Sequence, residues 1–279
     1  MIVIRICEGF DELEACVHLQ VETWGYDQSD IMPRKAFLVM QKVGGQVLGA
    51  FDTDVPGASP QGDAGSMVGF ALSLPGVKTG SNSPDGKPHP YLHSHMLAVR
   101  EGYRNRGLGA QLKLAQRRDA LARGIRLMEW TFDPVEIKNA FLNIHKLGAI
   151  VRRYSENFYG VSSSRLQGGL PTDRLVAEWH LDSPRVKAIL AGEAPAGLVV
   201  DERITVPASI YRWKASEQDR GRALAVQLEN RRKFQQAFAR GLAVLGFERD
   251  SDGNGIFELG SLTQSAAGIQ EPLERHYAN

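Results

Sequence analysis

An apolar stretch at residues 92–99 leads toward six residues, Arg104, Asn105, Arg106, Gly107, Leu108 and Gly109, and beyond them lies a segment rich in Gln, Lys and Arg. Gly107 and Gly109 place no Cβ in the turn, so the backbone there can approach a ligand closely and its N–H groups can converge on one point. Leu108 starts a predicted helix over residues 108–123, with Leu108, Leu112, Ala115 and Ala122 on one face and Gly124 as its stop. The N-terminus of a helix carries unpaired N–H groups and partial positive charge, which favour an anion. One exposed contact of this kind contributes only about 0.3–1 kcal/mol. A tight phosphate site therefore needs several amides together with cations, and Arg100, Arg104 and Arg106 supply the cations. With a strand at 125–132, the order strand, glycine turn, helix, strand makes a β-α-β unit. That topology puts the turn at the carboxyl edge of its first strand, where open sheets bind ligands.

The rest of the chain arranges itself around this unit. Ile2, Ile4 and Ile6 alternate along a short strand, and Asp11 is the expected N-cap of a helix running to about Thr23. Residues 37–41 and 46–51 read as strands joined by a hairpin at Gly44-Gly45, and 68–72 as another strand. The Gly-, Ser-, Asn- and Pro-rich stretch at 75–90 reads as a surface loop bordering a site. Asp133 as N-cap, Pro134 at the first helical position and Glu136 form a capping box for a helix striped with Ile137, Ala140, Phe141, Ile144 and Leu147 and ended by Gly148. Residues 150–159 and 174–181 read as two strands that close a core domain over 1–182. Residues 183–279 then read as an α/β extension docked on that core. It holds a short helix from Pro184, a strand at 204–206, a long helix at 217–240, and strands at 242–249 and 256–259 around Asp252-Gly253-Asn254-Gly255.

Composition narrows the function classes. With 33 basic and 32 acidic side chains the formal net charge is +1, so no global field favours a polyanion and no nucleic-acid partner is expected. No apolar run reaches spanning length and residues 1–7 lack signal-peptide architecture, so no membrane partner is expected and the cytoplasm is the expected compartment. Cys7 and Cys16 are too few for a disulfide framework or a thiolate metal site; they read as small core residues, and no metal set is assigned. Arg117-Arg118 and Arg231-Arg232-Lys233 read as solvated helix faces, and Trp24, Trp130, Trp179 and Trp213 as packing anchors.

The string Leu97-Ala98-Val99, followed by Gly102-Tyr103-Arg104-Asn105-Arg106-Gly107-Leu108-Gly109-Ala110, resembles the acetyl-CoA signature of the GNAT acyltransferases, whose pattern is Arg or Gln, two residues, Gly, one residue, Gly or Ala. The order of elements over 1–182 is similar as well, including a helix that ends Lys146-Leu147-Gly148-Ala149. A Rossmann fingerprint would need a further Gly where Leu112 stands, and a Walker loop needs Gly-Lys-Ser or Gly-Lys-Thr, which is absent. More narrowly the chain is similar to a sparsely characterised branch of GNAT proteins, through Asn139-Ala140-Phe141-Leu142-Asn143 and Pro171-Thr172-Asp173-Arg174.

The resemblance implies an α+β fold of three layers, a mixed central sheet with flanking helices, to which this chain adds its α/β extension. It implies acetyl-CoA or another short acyl-CoA as co-substrate, with the pyrophosphate on the amides of Arg104, Asn105, Arg106, Gly107, Leu108, Gly109 and Ala110. The pantetheine would pair with the backbone of Leu97, Ala98 and Val99. The implied activity is transfer of the acyl group to the amine of a small molecule or peptide by direct attack in a ternary complex. The alternatives are an acyl-CoA-binding module that senses or assembles without catalysing, and a homodimer formed through the extension.

Two departures from the family pattern bear on catalysis. Ile144 stands where a Tyr often protonates the departing thiolate, and Ile137 stands where an Asn is usual, with Asn139 and Asn143 nearby, four residues apart and so on one helix face, as coenzyme-binding candidates. Candidate proton carriers are His93 and His95, alternating along the signature strand, and Glu129 at the middle of the next strand; Tyr159 is a candidate replacement acid.

Overall fold

The computed structural model describes residues 1–79, 87–195 and 197–261. Contacts divide the chain into two units: Met1–Val77, Pro90–Met128 and Ser163–Leu166 form the first, and Lys78–His89, Glu129–Ser162 and Gln167–Asn279 the second.

The first unit holds β1 (Ile2–Ile6), β2 (Gln46–Asp52), β3 (Met67–Lys78, the last residue excepted) and β4 (His89–Val99, the first residue excepted), in the spatial order β1-β2-β3-β4. β1 and β2 are antiparallel, with Ile4 opposite Ala50, and β2 and β3 likewise, with Leu48 opposite Ala71. Because strand side chains alternate between faces, the unit has two apolar cores. Helices α1 (Gly9–Trp24) and α2 (Arg34–Lys42) bury Leu13, Cys16, Leu19 and Phe37 against Phe51, Phe70, Leu72, Met96 and Ala98. On the other face α3 (Leu108–Ala122) buries Leu108, Leu112 and Ala115 against Leu48, Ala50, Val68 and Ala71.

Three sequence expectations fail here, each for a local reason. Residues 37–41 lie in helix α2, not in a hairpin strand. Gly44, at φ 92°, and Gly45 stop that helix, with Gly45 N–H donating to the Met40 carbonyl (2.7 Å) and Gly44 N–H to that of Gln41 (3.3 Å). This is a Schellman closure, which uses the same glycine pair a hairpin would. Asp11 lies inside α1, because Glu12 folds back to accept the Glu8 N–H (2.7 Å) and the helix starts earlier. The stretch 75–78 continues β3 with alternating burial, so the part of the expected loop that remains is short, and residues 80–86 lie outside the described residues.

The second unit holds most of β5 (Leu127–Phe132) with β6 (Ile150–Ser155), β7 (Arg174–His180), β8 (Glu202–Val206), β9 (Leu242–Arg249) and β10 (Gly255–Ser261), in the order β5-β7-β6-β9-β10-β8. β9 joins β6 at Val151 and Val244, so the C-terminal strands extend the same layer. Its helices are α4 (Ile137–Ala140), which passes directly into a π-helix at Phe141–Lys146, then α5 (Pro184–Leu190), α6 (Ile210–Ala215) and α7 (Arg220–Ala239). Buried Arg185 donates to the carbonyls of Gly148 and Leu245 and ties the end of the π-helix to β9.

The capping box at Asp133 does not form. Asp133 instead accepts from Val135 N–H (2.9 Å) in a turn, and regular helix begins at Ile137. The two carboxylates have been taken by α6: Lys214 binds Asp133 (2.8 Å) and the Tyr211 hydroxyl binds Glu136 (2.7 Å). Strand β6 ends at Ser155, short of the expected 159, where Asn157 turns to φ 42°. Arg231 is not on a solvated face either; it grips fully buried Asp173 through two nitrogens, at 2.9 Å each. Among the described residues no helix is long and apolar enough to cross a membrane.

Candidate active site

In the first unit the chain leaves β4 through a single 3-10 turn, Glu101–Tyr103, and enters α3 through two left-handed residues, Asn105 at φ 60° and Gly107 at φ 80°. Gly107 occupies the N-cap position and no side chain caps the helix. The first helical bond runs from Gln111 N–H to the Gly107 carbonyl (3.1 Å), so Leu108, Gly109 and Ala110 present N–H groups that the helix itself cannot satisfy. A Cβ built on Gly107 meets no atom within 4 Å. The loop therefore has open space, outward amides and a positive dipole end, the combination an anion requires. Arg104 and Arg106 are exposed beside it; Arg104 is held by a bond from Nε to the Val99 carbonyl (2.9 Å), and Arg106 lies 5.7 Å from the Tyr103 ring. Arg100, expected as a third cation, pairs with Glu22 of α1 (3.0 Å). A cleft of about 210 Å³ beside the loop is lined by Tyr103, Arg106, Leu108 and Gln111, with Asp52 and Asp54 on its wall, both paired with the N-terminal ammonium.

Strand β4 brings His93 and His95 together, with ring centroids 6.0 Å apart. Burial lowers the pKa of the His95 imidazole, so it is neutral and able to accept a proton at pH 7. Ala98 is buried among the α1 and α2 side chains, while Leu97 and Val99 pack toward α3.

The second-unit candidates are differently situated. Glu129 is buried and bound by two cations, Lys78 Nζ at 2.6 Å and Arg153 at 2.7 Å. Arg153 also approaches Glu178 (3.4 Å), whose pKa is pulled down to about 2 by Arg152 and Arg153 against the opposing effect of burial. A proton arriving on Glu129 would disrupt this network, so the geometry makes it a structural ion pair. The Tyr159 hydroxyl lies 3.0 Å from Thr131 Oγ1, and Arg174 sits over its ring at 5.3 Å. Asn139 and Asn143 do not share a face: Asn139 is exposed and Asn143 is 4% exposed. Asn143 lies within the π-helix, where Leu147 N–H bonds back five residues to Leu142 (3.0 Å), a wider turn than α-helical spacing assumes. Ile144 is 1% exposed, a core side chain.

Lys113 and Gln116, buried on α3 and hydrogen-bonded with Ser94, stand outside the candidates drawn from the sequence. A signal was present, two polar residues three apart beside the apolar stripe of that helix and a Ser inside an apolar strand.

No family model and no curated protein sequence matches this chain. Solved structures do. Arabidopsis thaliana NAA60 in complex with acetyl-CoA superposes with a TM-score of 0.50 at 15% identity, over 64% of this chain and 98% of that one. The fold is that of the GNAT acetyltransferases. The mixed sheet with flanking helices expected from the signature is thus present. The Escherichia coli ribosomal-protein-S18-alanine N-acetyltransferase is similar at a TM-score of 0.46 and 16% identity, over 65% of this chain and 94% of that one. The NAA60 comparison leaves about a third of this chain unmatched, so the GNAT fold accounts for part of the molecule.

Proposed function

We propose that the protein is an acyltransferase that moves an acetyl or other short acyl group from acyl-CoA to the amine of a small molecule or peptide, by direct attack within a ternary complex. The observation that carries this reading is the uncapped start of α3, where three helical N–H groups follow two left-handed residues at the end of β4. Acyl-CoA supplies the activated thioester. The chain's own part is to seat the pyrophosphate on the amides of residues 104–110 with Arg104 and Arg106 as counter-charges, to align the pantetheine along the backbone of Leu97, Ala98 and Val99, and to take up the amine's proton. His95 is the residue we assign to that last role, because burial alone shifts it toward the neutral, proton-accepting form. Asn139, Asn143, Glu129 and Tyr159 take no part in this assignment.

Isothermal titration with acetyl-CoA tests the first half: no heat of binding sinks the reading. Release of free thiol in the presence of pooled primary amines tests the second. Binding without thiol release would replace the enzyme by a non-catalytic acyl-CoA-binding module.

A further inference from the structure

A polar seam runs through the interior of the first unit. Ser73 Oγ donates to Gln46 Oε1 (2.8 Å), and Gln46 Nε2 donates to the Gln116 carbonyl (2.9 Å) and to Asp119 Oδ2 (2.7 Å). Ser94 Oγ donates to Gln116 Oε1 (3.0 Å) and accepts from Lys113 Nζ (2.8 Å). Ser73, Gln46, Ser94, Lys113 and Gln116 are all buried, and the seam reaches solvent at Asp119, which pairs with Arg123 (2.8 Å). Burying five polar side chains is costly unless each finds partners, and apolar residues would fill the same space at least as favourably. What directed hydrogen bonds add is a single register, here the position of α3 along β2, β3 and β4.

Ser94 also marks an irregularity in β4. Its side chain bonds to α3, yet Met96, two residues on, packs with α1 and α2 on the opposite face, while Leu97 and Val99 return to the α3 face. Strict alternation would put Ser94 and Met96 on one side. The phase therefore changes at His95, as it does where a strand bulges, re-aims a side chain and leaves backbone unpaired.

We propose that Ser94, Lys113 and Gln116 are positioning residues that clamp this change of phase to α3. They thereby fix the separation between His95 and the anion-binding amides of Leu108, Gly109 and Ala110. The functional half of this inference rests on the acyl-transfer reading above; its structural half is read out without any acyl-CoA.

The decisive variant is Ser94→Ala combined with Lys113→Met, which removes the clamp without stranding a buried amine; Ser94→Thr keeps the hydroxyl and serves as the rescue. Amide hydrogen exchange and the NMR titration of the His95 ring are measured on the free protein, and then the acetyl-CoA Kd and kcat. In the double variant, exchange at His95 and Met96 is expected to accelerate about tenfold or more while α3 stays protected. The His95 titration is expected to move toward that of a solvated imidazole. The Kd should stay within about threefold and kcat should fall about tenfold, because loop amides that bind are retained while their alignment with His95 is lost. Ser94→Thr should restore both. Unchanged exchange and titration at His95 would overturn the clamp, as would a failure of Ser94→Thr to rescue either readout. Wild-type protein that ignores acetyl-CoA, with the exchange result intact, would overturn the acyl-transfer reading and with it the functional half alone.

Discussion

The candidate groups of the first unit and those of the second differ in how far their bonding capacity is already used. At the start of α3 the N–H groups of Leu108, Gly109 and Ala110 have no helical partner, and His95 is shifted by burial alone. In the second unit Glu129 holds two cations, Ile144 is packed in the core, and the Tyr159 hydroxyl rests on Thr131. A buried polar group whose partners are all protein stabilises the fold, and a group with capacity to spare is the one that can serve a ligand. This contrast, more than residue type, separates His95 from Glu129, which sequence alone made near equals.

The contrast can be broken experimentally. The largest effect is expected from Gly107→Val: a β-branched side chain at φ 80° forces the loop out of shape and crowds the amides, so acetyl-CoA affinity should fall at least about a hundredfold, with folding retained because no atom lies within 4 Å of the added Cβ. Calorimetric affinity equal to wild type would remove the loop from the site. Next, His95→Gln should lower turnover about a hundredfold while leaving acetyl-CoA binding near wild type. Because burial lowers the His95 pKa, the wild-type kcat/KM should hold at neutral pH and decline only as pH drops through a value below the ordinary 6.5 of an imidazole. A decline centred above 6.5, or one that persists in His95→Gln, would point to another base.

Glu129→Gln should act on stability and not on chemistry. Removing the charge that Lys78 and Arg153 share should cost about 1–3 kcal/mol, because Arg153 keeps Glu178 at 3.4 Å and 26% of its side chain in solvent. A lower denaturation midpoint at unchanged slope would show it; a stable protein with lost turnover would reverse the assignments of Glu129 and His95. The smallest effect is expected from Ile144→Tyr. Overpacking a core position should destabilise by about 1–3 kcal/mol with no gain in turnover, and a faster enzyme would show that position 144 does reach the leaving group.

Much of the fold was legible, and the parts that were not share a cause. The strands of the first unit, helix α3, its glycine stop and the loop before it all follow from local pattern, since period, cap and left-handed glycine act over a few residues. Residues 37–41 misled because a short apolar run does not distinguish strand from helix and Gly44-Gly45 serves either ending. The capping box at Asp133 misled because Lys214 and Tyr211, some 75 to 81 residues away in sequence, captured its carboxylates. Asn139 and Asn143 misled because the spacing rule assumed an α-helix where five-residue bonds set the register.

By itself the sequence determined the loop proposed to seat an anion: two arginines, two glycines and a helix start are all local facts, readable from Arg104 to Ala110. Tertiary structure decided which of the titratable candidates was left available. Whether His95, Glu129 or Tyr159 can exchange a proton depends on burial and on cations or hydroxyls brought in from distant parts of the chain, such as Lys78 and Arg153 around Glu129. Electrostatic environment is a property of three-dimensional neighbours, and a residue's spacing along the chain carries no record of them.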